Sequence, residues 1–196
     1  MSREECEDDE GIYSPFTAVS FAAFARNIAA TVPSPLASRA VDTGKRETLF
    51  YKRSHFVTHL PVGFLYTRSH FWLEQQAGGE WRIGLTKFAT RMLGEMVDHG
   101  FEVEADANVS VGQIVGWVEG FKAISDVYCV AAGTFLGGNA ALREKISLID
   151  KQPYGEGWLY AVRGASDEKC LDVHGYRDHL DRAIDLILSK QKSEQQ

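Results

Sequence analysis

Cysteine is scarce in this chain. Cys6, Cys129 and Cys170 are odd in number and far apart, with no C-x-x-C pair and no histidine at ligand spacing beside them. That excludes a disulfide framework and a structural zinc site, and it leaves free thiols in a reducing cytoplasm as the expectation. No apolar run approaches the roughly 20 residues needed to span a bilayer. The nearest, residues 16–25, follows an acidic stretch and is interrupted by Arg26 and Asn27, so it reads as neither a signal peptide nor a membrane anchor. Positive charge is nowhere concentrated. The net charge is −6, but the first ten residues hold six acids against Arg3, so the rest is nearly neutral and has no electrostatic footprint for nucleic acid. G-x-S-x-G, a Walker loop and H-E-x-x-H are also missing, and nothing supports an independent hydrolase or nucleotide-dependent enzyme. His99, His174 and His179, read in a strand, a linker and a helix, have no acid or thiol partners at triad-like intervals. His55 and His59 stand four apart, but Thr48, Phe50, Tyr51, Phe56 and Val57 around them favour strand over the helix that a metal site at that spacing requires.

What the chain does have is glycine, 18 residues that separate short β-branched and aromatic runs. The pattern is clearest over residues 111–130, VGQIVGWVEGFKAISDVYCV. Ile114, Gly116 and Val118 alternate with Gln113, Val115 and Trp117, the period of a strand partly covered on both faces, and residues 127–130 supply an opposing arm. Gly120-Phe121-Lys122-Ala123 reads as a four-residue connection in which Gly120 takes positive φ. Lys122 therefore projects from a hairpin tip. Upstream, residues 71–73 and 81–85 read as a strand pair around Gly78-Gly79. Thr86 then caps a short helix, KFATRML, with Phe88, Met92 and Leu93 inward and Gly94 at its end. Strands are expected at 96–103, 133–136 and 158–162, with a helical turn around Ala141 and Leu142 capped by Asn139. Leu180, Ile184, Ile187 and Leu188 form the stripe of an amphipathic C-terminal helix. Many short strands with few helices predict a mainly β fold, an antiparallel sandwich or flattened barrel.

Residues 1–45 carry Pro15, Pro33 and Pro35 and no sustained core periodicity, and are expected to be a disordered or loosely docked extension. The competing reading is a short amphipathic helix over residues 17–30. Residues 46–64 read as an extra strand or surface wrap, 65–165 as the main domain, and 166–190 as a C-terminal helical segment.

The hairpin tip, EGFKAISD over residues 119–126, resembles the lipoylation site of the glycine cleavage system H protein family, usually E-S-V-K-A-x-S-D. Gly133, Asn139, Ala141 and Leu142 follow at the family's intervals, and PYGEGWL at 153–159 matches its signature. Upstream, Tyr66-Thr67-Arg68-Ser69-His70, Trp72, Gly84-Leu85-Thr86, Ala89 and Leu93-Gly94 match as well. Several separated motifs in the right order are far more specific than any single one. Two positions depart from the pattern. His70-Phe71-Trp72 stands where the family writes H-E-W, and Gly120-Phe121 where it writes Ser-Val.

This resemblance implies a barrel-sandwich hybrid of the lipoyl and biotinyl type, with short edge helices and a C-terminal helix. It implies covalent lipoate on Lys122 and a carrier that is not itself an enzyme. Such a carrier takes an aminomethyl group from glycine decarboxylase, the P protein, to the aminomethyltransferase, the T protein. Dihydrolipoyl dehydrogenase reoxidises the arm, and a lipoate ligase or transferase installs it. Ser69 and Asp126 match positions of the cleft that shelters the loaded arm, with Glu119 beside the lysine. At position 71 the family's glutamate contacts the aminomethyl amine; a phenyl ring offers no carboxylate there, only a π face that compensates in part. Two other readings stand beside this one: an H-like lipoate carrier in another pathway, such as sulfur oxidation, and an unmodified H-like binding or scaffold module, motivated by the 64 residues before the resemblance begins. Ala-Met-Lys-Met is absent around Lys122, which argues against a biotin carrier. No metal, nucleic acid or membrane partner is expected.

Overall fold

A computed structural model describes residues 46–193. The expectations for residues 1–45 lie outside the described residues. Burial alternates from the first strands onward. In the antiparallel hairpin of β1 (Thr48–Arg53) and β2 (Phe56–Pro61), Tyr51, Phe56 and Leu60 are buried while Phe50, Val57 and His59 face out. β3 (Leu65–Tyr66) then pairs with β4 (Phe71–Gln76), and a 3₁₀ turn at Ala77–Gly79 leads to β5 (Glu80–Leu85). Phe71 and Leu73 turn to one face of this sheet and Trp72 to the other. All three are buried because both faces are covered.

Thr86 caps α1 (Lys87–Leu93), its hydroxyl oxygen accepting the Ala89 N–H at 3.4 Å, and Gly94 ends it at φ 86°. Phe88 and Leu93 are buried as the sequence predicts, but Met92 is 38% exposed. Ala89 and Leu93, four apart, face the main core, and Phe88 packs under Phe56 and His70. One turn later Met92 has passed the edge of that cover.

β6 (Met96–Phe101), β8 (Ile114–Gly120) and β9 (Ala123–Tyr128) form a second, three-stranded sheet with β8 in the middle. β7 (Asn108–Val109), β10 (Ala131–Gly138) and β11 (Tyr160–Ser166) complete the first sheet, whose order is β3-β4-β5-β11-β10-β7. Leu73, Ile83 and Val162 from the large sheet meet Val115, Val118 and Val127 from the small one in the main core. The fold is mainly β, with the sheets packed but not closed into a barrel. Short helices α2 (Ala141–Glu144) and α3 (Leu148–Lys151) lie at its edge, and Asn139 Oδ1 accepts the Ala141 N–H ahead of α2.

A second, aromatic core fills the outer face of β3 and β4. Tyr51, Leu60, Tyr66, Trp72 and Phe88 pack there against α4 (Val173–Ser193), with Tyr66 stacked on Tyr176 at 4.6 Å. Leu180 and Ile184 of the expected stripe are buried, with Ile187 and Leu188 packed at the margin. His174 lies inside α4 and not in a linker, because the helix already begins at Val173.

Candidate functional site

The hairpin of β8 and β9 is tighter than its sequence suggests. Gly120 pairs directly with Ala123, so the turn is the two residues Phe121 and Lys122, and β9 starts at Ala123 instead of near Val127. Gly120 is not in the left-handed region. A Cβ there would sit 2.4 Å from the Leu93 carbonyl oxygen, so glycine is required by close approach of the α1 exit. Neither Phe121 nor Lys122 has positive φ. The turn is held from outside. The Phe121 N–H donates to the Glu95 carbonyl at 2.8 Å and the Lys122 N–H to the Leu93 carbonyl at 2.9 Å. Gly94 lies against the aliphatic stem of Lys122, and a Cβ on Gly94 would fall 3.1 Å from Lys122 Cγ. Lys122 is exposed, and Phe121 beside it is 85% exposed.

Leu93 joins this turn to a small depression between α1, the edge strand β9 and the bend ahead of β4. Its floor is Phe71, Leu85, Ala89 and Leu93; Ser69, Ser125, Asp126 and Tyr128 supply the polar groups. The structure thus brings together Ser69 and Asp126, which lie 57 positions apart in the sequence. Glu119 pairs with Ile124 on the three-stranded sheet and is not among the lining residues. Asp126 is the charged group of the lining, and the Tyr128 hydroxyl donates to its Oδ2 at 3.4 Å. The Ser69 hydroxyl shares a hydrogen bond with that of Thr67 at 3.0 Å.

Behind the bend a buried polar chain ties it to α4 and α1. His70, at φ 66°, places Nδ1 2.9 Å from the Tyr176 hydroxyl, which is 2.9 Å from the Thr86 hydroxyl that caps α1. Burial, and secondarily the neighbouring His179, pushes the His70 pKa down to about 3, so the ring is neutral. Nothing in the local sequence signals this chain, because Thr86 and Tyr176 are 90 residues apart.

Chemically, the site offers one accessible amine on a rigidly seated turn. Next to it lies an apolar floor with a single carboxylate at its margin. An acylated lysine, having lost its charge, could lay an apolar arm along that floor. The side chains of Phe71, Leu85, Ala89 and Leu93 are hydrocarbon, which matches the apolar chemistry of a dithiolane arm.

The profile of the family described as Glycine cleavage H-protein matches residues 64–179. A glycine cleavage system H protein from Corynebacterium jeikeium is 36% identical over 129 residues, covering 62% of this chain and 97% of that protein. One from Salmonella arizonae is 31% identical over 123 residues, 61% of this chain and 95% of its own length. Among solved structures, the crystal structure of a glycine cleavage system H protein from Mycobacterium marinum superposes with a TM-score of 0.57 at 30% identity, covering 62% of this chain and 99% of that one.

Proposed function

The chain belongs to the glycine cleavage H-protein family, and from that premise we propose that it is a lipoyl carrier whose arm is attached to Lys122. The carrying observation is the placement of Lys122. An exposed lysine sits on a two-residue turn bonded to Leu93 and Glu95, with Leu93 forming both the seat of the turn and a wall of the adjacent depression. A modifying enzyme needs an accessible amine on a turn that holds its shape, and this turn supplies both.

When bound, lipoate supplies a dithiolane whose sulfur chemistry accepts and releases the transferred group. The chain's own residues do the rest. Phe71, Leu85, Ala89 and Leu93 give the arm a floor without hydrogen-bonding groups. Asp126, oriented by the Tyr128 hydroxyl, is placed to accept a charge-assisted hydrogen bond from a cationic cargo, with Ser69 and Ser125 as neutral partners. Phe71 offers no second carboxylate, so recognition of an ammonium falls on Asp126. Glu119 is read as a contact for enzymes that approach the tip, since it lies off the floor. The partners are a lipoate ligase or transferase, glycine decarboxylase, the aminomethyltransferase and dihydrolipoyl dehydrogenase. Among the described residues no helix is long and apolar enough to cross a membrane.

The test is glycine-dependent exchange of labelled bicarbonate by a heterologous glycine decarboxylase supplied with this protein after lipoylation. Exchange should appear with the natural chain and vanish with Lys122→Arg, which keeps the charge but does not take the acyl group. Equal exchange with both would refute the assignment of the arm to Lys122.

A further inference from the structure

We infer that Asp150 is a positioning residue for Lys122, because it ties down both ends of the helix on which the Phe121-Lys122 turn rests. The inference builds on the reading of Lys122 as the modified residue. Two-residue hairpins settle by themselves into turns with positive φ, whose twist matches that of the strands. Phe121 and Lys122 have none. The turn's shape is therefore imposed by what it is bonded to, the carbonyls of Leu93 and Glu95 at the exit of α1.

That exit needs an anchor of its own, since α1 has only seven residues. Asp150 supplies it. Its carboxylate Oδ2 accepts the Met96 N–H at 2.9 Å, immediately beyond Glu95. Its main-chain carbonyl accepts the Lys87 ammonium at 2.8 Å, at the first residue of α1. One residue of α3 thus spans the helix from entry to exit. α3 is itself fixed in the main core by Leu148 and by Ile149, which is fully buried. Partial burial raises the Asp150 pKa above its ordinary value, and the Met96 N–H and the Lys87 charge offset only part of that rise.

What matters at this position is the acceptor oxygen. Asp150→Asn keeps one for Met96, and Asp150→Ala leaves that N–H without a partner. Loosening the seat reduces the fraction of molecules whose turn a modifying enzyme can bind. The apparent affinity falls by that fraction, while turnover of the bound complex stays.

The experiment uses the full chain, an ATP-dependent lipoate ligase and free lipoate, with initial rates measured against carrier concentration. Amide exchange is followed in parallel by NMR. For Asp150→Ala we expect KM to rise about tenfold with kcat within about twofold, the scale of one hydrogen bond to a charged acceptor. The Phe121 and Lys122 amides should exchange about tenfold faster, while those of Leu73 and Ile83 in the β4-β5 ladder do not change. Asp150→Asn, whose neutral amide oxygen still accepts the Met96 N–H, should stay within about threefold of the natural protein in KM and in turn-amide exchange, well short of the alanine variant. Unchanged KM and unchanged turn amides in the alanine variant would overturn the inference. So would equal loosening of the Leu73 and Ile83 amides, which marks a general structural role. If the natural chain itself takes no lipoate at Lys122, the underlying reading fails, and the amide arm alone then decides whether Asp150 sets the turn.

Discussion

At Gly120 and Phe71 single atoms decide what the tip and the floor can be. A methyl group on Gly120 would stand 2.4 Å from the Leu93 carbonyl oxygen, against backbone that cannot swing aside. Gly120→Ala should therefore destabilise the protein by roughly 1–3 kcal/mol, the cost of overpacking, as read by denaturant titration, and lift the tip off α1. A loss under about 0.5 kcal/mol would mean that the approach is slack. Sequence marks this glycine as special but gives the wrong reason, a left-handed turn, because the crowding atom comes from a helix 27 residues upstream. Phe71 is only 3% exposed and belongs to the main core as well as the floor. Phe71→Glu should lower the thermal midpoint by several degrees, since burying a carboxyl among Leu85, Ala89 and Leu93 costs about 1–3 kcal/mol even when part of its hydration is kept. An unchanged midpoint would show that water reaches the floor.

Between elements, the polar chain from His70 through Tyr176 to Thr86 binds α4 to the start of α1. Its titration has a definite sign. The folded His70 pKa lies near 3, below the ordinary 6.5, so the unfolded chain takes up a proton between those values that the folded chain refuses. Stability is then fully present above about pH 6.5 and falls as the pH drops toward 3, by up to about 1.4 kcal/mol per pH unit. His179, also lowered by burial, works in the same direction. His70→Asn tolerates the positive φ and does not titrate, so its unfolding free energy should be flatter between pH 4 and 6.5. A slope equal to that of the natural protein would show that His70 is not the group responsible. Local chemistry made the elements here legible. The Thr86 cap, the Gly94 stop and the Leu180–Ile184 spacing act within a few residues of themselves. The contacts that align those elements do not, and Asp150, 54 residues from Met96, had no signal of its own.

Across the described residues, two sheets enclose the main core while the β1-β2 hairpin and α4 enclose the aromatic one, so β3 and the start of β4 are covered on both faces. Strand periodicity foretold a mainly β architecture. It could not foretell that the sheets stay open as six and three strands, because closure depends on pairings between distant segments. The site lies where the layers meet: β9 from the small sheet, the bend ahead of β4 from the large one, and α1 between them. Lys122 is the residue that this arrangement presents. The most direct measurement is peptide-resolved mass spectrometry of the full chain after reaction with a lipoate ligase, ATP and lipoate. A single lipoyl adduct is expected, on the peptide containing Lys122. An adduct on any other lysine, or an unmodified Lys122 under conditions that fully modify a known H protein, would contradict that expectation.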